Sequence, residues 1–144
     1  MRRIVLATMF GSMVAAALAL GAAGCAKDEH VAPTAAAVPE VTIDELAALL
    51  AQKACVPVDA NGARTRERQG VIPGAVLLTD SADYLPSELP ADKATALVFY
   101  CANEACSASH EAAARARLAG RTDVRVLPAG IAGWKKAGKP TQAI

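Results

Sequence analysis

Well into the second half of the chain runs the stretch Val98-Phe99-Tyr100-Cys101-Ala102-Asn103-Glu104-Ala105-Cys106-Ser107, after which the sequence turns alanine-rich. The opening apolar run reads as a strand, and it delivers a cysteine to its carboxyl end. A short loop follows, and the segment from about Ser107 to Ala119 reads as a helix closed by Gly120, a residue suited to a carboxyl cap. In an open α/β sheet, ligands sit in the crevice beyond the carboxyl ends of the strands. Loop amides and a helix amino terminus at that place favour negative charge. A cysteine held there is expected to have a lowered pKa and to serve as a sulfur nucleophile. The competing reading is a small core thiol, which is common for cysteine.

The flanking sequence repeats the alternation of strand and helix. Thr42-Ile43-Asp44-Glu45 has capping-box spacing ahead of a helical pattern in Leu46, Leu49 and Leu50. Val56-Pro57-Val58-Asp59 is a short strand ending in an acid, and Asn61 to Gln69 reads as polar and irregular. Gly70 to Ala75 is a rigid turn feeding the strand Val76 to Leu78. A short helix with loops fills Ser81 to Lys93, and further strands are expected at Ala96–Tyr100 and Val124–Leu127. A closing helix from Gly130 to Ala137 carries Trp134, the single tryptophan, expected to pack as a core lid. The pattern predicts one α/β domain over residues 41–142, with a central, mainly parallel sheet covered by helices on both faces.

The first 24 residues are expected to lie outside that domain. Arg2 and Arg3 precede an apolar run from Ile4 to Ala23, the layout of an export signal. The run ends Leu20-Gly21-Ala22-Ala23-Gly24-Cys25, which resembles the lipobox of bacterial lipoproteins and marks Cys25 for acylation. An ordinary cleaved signal and an uncleaved anchor are the other readings. Residues 25–40, with Lys27 to His30 and a proline–alanine stretch, read as a flexible tether. The expected location is the bacterial cell envelope, lipid-anchored through Cys25 and facing the periplasm from the outer membrane.

Charge narrows the choice of partners. Fifteen basic against fourteen acidic side chains leave a formal net charge of +1, with aromatics at 3% and no basic run. Nucleic-acid binding is therefore not expected. With Cys25 lipidated, Cys55, Cys101 and Cys106 remain, an odd number in a compartment that permits disulfides. Cys55 opens an apolar run and reads as core packing.

In this order the pieces resemble a rhodanese domain: Asp59 ending an early strand, the Gly-x-Ile-Pro-Gly-Ala turn of Gly70 to Ala75, the strand–cysteine–loop–helix, and the closing Gly130-x3-Trp134 segment with Gly138 and Pro140. The resemblance implies sulfur transfer, in which Cys101 takes a sulfane sulfur as a persulfide and passes it to an acceptor. Ala102, Asn103, Glu104, Ala105 and Cys106 then complete a six-residue loop around the nucleophile, and Asp59 organises hydrogen bonds. The sequence departs from the family pattern at Glu104, often glycine, at Cys106, often arginine, serine or threonine, and at Asn61 and Val71, often arginine and histidine. Glu104 near the site is expected to raise the thiolate pKa. Because the loop holds no basic residue, a small thiol or polysulfide donor is favoured over thiosulfate. Arg64, Arg66 and Arg68 are candidates to fold over the site.

Cys106 admits two readings, a thiol coupled by redox chemistry to Cys101 or a small side chain packed beneath the helix. His110 either flanks the site and assists proton transfer or caps the helix. Cys101-x4-Cys106-x3-His110 is looser than structural zinc spacing and lacks a fourth ligand, so neither a metal nor a cofactor is expected. A thioredoxin-like fold is disfavoured by the absence of Cys-x-x-Cys. Three functions stand open: sulfur transfer between a small donor and a thiol acceptor, a Cys101/Cys106 redox couple, and a catalytically silent binding module whose protein partner the residues do not name.

Overall fold

The structure, a computed structural model, describes residues 37–144. The signal-like run, Cys25 and His30 lie outside them. The elements are α1 (Ile43–Ala51), β1 (Val56–Asp59), α2 (Ala63–Gln69), β2 (Val76–Leu77), a 3₁₀ turn (Pro86–Glu88), β3 (Leu97–Tyr100), α3 (Ala108–Leu118), β4 (Val124–Leu127) and α4 (Gly130–Lys136). All four strands run parallel in the order β2-β1-β3-β4, so β3 is central.

Central placement explains why β3 is apolar throughout: each of its four residues is buried. Successive side chains point to opposite faces. Leu97, Phe99 and, beyond the strand, Cys101 join Val58, Leu78, Tyr84 and the small inward residues of α3 in one core cluster. Val98 and Tyr100 join Leu46, Ile72, Leu127, Ile131 and Trp134 in the other. The strand thus places the Cys101 side chain on the α3 side of the sheet. Ala112, Ala113 and Ala116 recur at helical spacing and are fully buried, so α3 lies close over that face.

Local signals act where expected in several places. Thr42 and Glu45 form a reciprocal capping box at α1. Trp134 is buried in α4 and donates its indole N–H to the carbonyl of Pro140 at 2.8 Å. Cys55 is a buried free thiol in the second cluster, and burial raises its pKa.

Two segments depart from expectation. Residues 63–69, read as irregular, form helix α2. It has no apolar stripe because its buried position is filled by Arg66. The lead-in is also ordered ahead of Val41. The Pro39 carbonyl accepts from the Val126 amide at 2.9 Å and the Val41 amide donates to the Val126 carbonyl at 2.8 Å, which pairs Glu40 in parallel with β4. Among the described residues no helix is long and apolar enough to cross a membrane.

Candidate active site

The site is built where β3 ends. Cys101 is the first residue beyond the strand and only 1% exposed, whereas Cys106, at the end of the loop, is partly exposed. Between them the chain folds on Asn103. Its side-chain oxygen accepts from the Ala105 amide at 3.0 Å and its carbonyl accepts from the Cys106 amide at 3.1 Å. The loop is held from beneath by α4, whose first amides, Ile131 and Ala132, donate to the carbonyls of Cys101 (2.8 Å) and Ala102 (3.0 Å). Gly130 permits this approach. A Cβ there would meet the Cys101 carbonyl oxygen at 2.6 Å and the Asn103 nitrogen at 2.7 Å, and its φ of +59° lies in the left-handed region.

Turning back over the loop, the first turn of α3 brings the Ser109 hydroxyl to 3.3 Å from Sγ of Cys101, to which it donates. The Cys101 thiol lies 3.1 Å from the Cys106 carbonyl oxygen, which accepts from it, and it also hydrogen-bonds the Cys106 sulfur. Both cysteines are free. The polar groups of the cradle are divided between the two sulfurs. The hydroxyl and amide of Ser109 face Cys101, and the amides of Ala102 and Ala108 face Cys106.

This division corrects the expectation for Cys101. Burial, followed by its hydrogen bond to Cys106, pushes the Cys101 thiol above the ordinary cysteine value, and Ser109 only partly opposes the rise. For Cys106, burial acts upward, but the thiol of Cys101 and the two amides outweigh it and hold Cys106 below the ordinary value. The two thiols are coupled, so the first proton lost belongs to the pair and not to either sulfur alone.

The other sequence-predicted residues take distinct places. Ala102 supplies an amide, Asn103 shapes the loop, and Glu104 and Ala105 are exposed. The carboxylate that opposes a charge on Cys106 belongs to Glu111, not Glu104. Glu104 instead lines a shallow surface groove that also reaches Lys136. His110 turns toward Glu40, with Nε2 3.5 Å from Oε1. Among the described residues no group of three His, Cys, Asp or Glu side chains could hold a metal ion.

Asp59 lies beside Tyr100 in the sheet and is fully buried. It accepts from the Asn61 amide at 2.7 Å and from Nε of Arg66 at 3.2 Å. Arg66 also donates to the carbonyls of Asp59 (2.9 Å) and Leu78 (2.8 Å), so it ties the ends of β1 and β2 and does not cover the thiols. Ser109 was absent from the sequence-based candidates. Its signal is phase: with Ala112, Ala113 and Ala116 it completes an i, i+3, i+4, i+7 stripe that must face the loop and sheet.

Comparison with known proteins agrees with this architecture. No curated protein matches the chain. A rhodanese-like domain from Anabaena sp. has 26% sequence identity, with a TM-score of 0.62 over 74% of this chain and 80% of that one. A protein of unknown function from Rhodopseudomonas palustris, described as a possible tyrosine phosphatase, has 27% identity and a TM-score of 0.60 over 73% and 85%. A thiosulfate sulfurtransferase from Pseudomonas aeruginosa has 27% identity and a TM-score of 0.61, covering 74% of this chain but 20% of that one. The family model for the rhodanese-like domain matches residues 42–137. With its parallel four-stranded sheet, its cysteine at the end of the central strand and this match across most of its length, the chain belongs to the rhodanese-like domain family.

Proposed function

We propose that the protein transfers sulfane sulfur through Cys101, as a sulfurtransferase or persulfide carrier of the bacterial cell envelope, lipid-anchored through Cys25 on the outer membrane. The observation that carries this reading is the placement of the Cys101 sulfur at the end of β3, within reach of the Ser109 hydroxyl and of the α3 amino terminus. Similarity to a thiosulfate sulfurtransferase supports the class of reaction. The Cys101 thiolate attacks the sulfane sulfur of the donor, the donor's remaining group leaves as an anion, and an acceptor thiolate later removes the outer sulfur. From Cys101 through Glu111 the chain contains no lysine or arginine. A thiol persulfide or polysulfide thus suits the loop better than thiosulfate, and a phosphoester dianion suits it no better.

A dithiol redox function is the second reading, favoured by the hydrogen bond between the two cysteine sulfurs. Intact mass of the protein after incubation with inorganic polysulfide, compared with Cys101→Ser, separates the possibilities. Uptake of sulfur that requires Cys101 supports sulfur transfer. Loss of two hydrogens without any sulfur-loaded species favours the redox couple, and no change in either protein leaves a silent binding module. For the location, lipid labelling that persists in Cys25→Ala would refute the anchor.

A further inference from the structure

We propose that Cys106 is a resolving thiol which discharges the Cys101 persulfide inside the loop as hydrosulfide, making this domain a reductase of sulfane sulfur rather than a carrier that waits for an outside acceptor. The inference rests on the reading of Cys101 as the residue that takes up sulfur. Cys101 is 1% exposed and Cys106 partly exposed, and Cys106 meets the Cys101 sulfur twice, through a side-chain hydrogen bond and through its carbonyl oxygen at 3.1 Å. The Ala102 and Ala108 amides face Cys106 and favour its thiolate, the form that attacks, while Ser109 serves Cys101. Asn103 fixes the turn that holds the two residues together.

The step balances as follows. The Cys106 thiolate attacks Sγ of Cys101, and the bond between Sγ and the outer sulfur breaks. The bonding pair leaves with the outer sulfur as hydrosulfide, which retains the persulfide proton. A Cys101–Cys106 disulfide forms. The sulfane sulfur is reduced by two electrons and the two cysteines are oxidised by two. A dithiol reductant then restores both thiols by exchange, entering at the more exposed Cys106 sulfur. The internal reaction is favoured over an external acceptor because the attacking thiolate is held in place and pays no encounter entropy.

The test uses the full chain in detergent, without oxygen, given one equivalent of inorganic polysulfide and then freed of donor by rapid gel filtration. Wild-type protein is expected to pass through a species heavier by one sulfur and to end lighter than the reduced chain by two hydrogens. One hydrosulfide should be released per chain, and the Cys101–Cys106 disulfide should be found in its peptides. Cys106→Ser, with Cys106→Ala as a second variant against misfolding, should stop at the sulfur-loaded Cys101 and release no sulfide. A wild-type protein that keeps its extra sulfur on Cys101 would overturn the inference and leave sulfur transfer standing. Sulfur recovered on Cys106 with no sulfide released would likewise overturn it, since the second thiol would then be a relay. Failure of both wild type and variants to take up sulfur would overturn the reading of Cys101 itself.

Discussion

The hydroxyl of Ser109, in the first turn of α3, donates to Sγ of Cys101 at 3.3 Å. It favours the Cys101 thiolate against the burial that raises its pKa. Ser109→Ala should therefore raise the Cys101 pKa further and slow its alkylation at neutral pH. The loss of one ordinary hydrogen bond, about 0.5–1.5 kcal/mol, sets the limit at roughly tenfold. Alkylation rates resolved by peptide mass across a pH series provide the measurement, with Cys106 as the internal reference.

The acids of the site are distinguishable by the same assay. Glu111 opposes the negative charge of Cys106 and also accepts from the Ser107 hydroxyl. Glu111→Gln should lower the Cys106 pKa, so that its alkylation profile moves to lower pH. Glu104→Gln should leave the profile where it is. A shift with Glu104→Gln and none with Glu111→Gln would reverse the assignment.

Gly130 tests the support beneath the loop. Gly130→Ala drives a Cβ into the backbone of Cys101, Ala102 and Asn103. Loss of stability on the order of 1–3 kcal/mol from overpacking is expected, together with slower reaction of Cys101. Gly138→Ala is the control. Its φ is +69°, yet nothing lies within 4 Å of the added Cβ, so only the left-handed backbone cost of about 1–2 kcal/mol applies. Denaturant titration of both variants, with the alkylation assay, separates steric from conformational effects.

Arg66 and Asp59 form a buried pair. Arg66→Leu strands the carboxylate and should cost about 3–5 kcal/mol, while Arg66→Leu with Asp59→Asn should recover part of the loss. Equal destabilisation by the single and double variants would mean that the arginine's bonds to the Asp59 and Leu78 carbonyls, and not its charge, hold the strand ends.

Alkaline pH should unfold the domain through its tyrosines. Burial pushes Tyr84 up to about 12, and burial together with the Asp59 carboxylate raises Tyr100 as well. In the unfolded chain tyrosine ionises near its ordinary value of roughly 10. The folded state keeps both neutral, so this contribution is complete below roughly pH 10 and is lost as pH rises through the folded values. Denaturation midpoints measured between these limits should fall, and less steeply in Tyr84→Phe.

The central strand and the meeting of Cys101 with Cys106 could be read from residues alone, because an all-apolar run and a five-residue spacing leave few geometries open. Helix α2 could not. Hydrophobic periodicity sees only apolar residues, and there the inward position belongs to an arginine whose charge is met by Asp59 from another element. The same limit hid Ser109 behind His110, whose chemistry draws attention although its side chain faces Glu40. It also put the wrong acid beside the thiols. Glu104 is nearer to Cys101 along the chain, but the helical turn carries Glu111 back toward Cys106. The pKa of Cys101 is set by burial, which depends on how closely α3 lies over the loop.

The pairing of Pro39 to Val41 with Val126 bears on more than the start of the fold. β4 ends the row of strands, and the free amides and carbonyls of a terminal strand are a template for a strand from another molecule. Here the chain's own approach to the domain occupies part of that template. A strand from a neighbouring copy would find the Val126 position of this edge already taken.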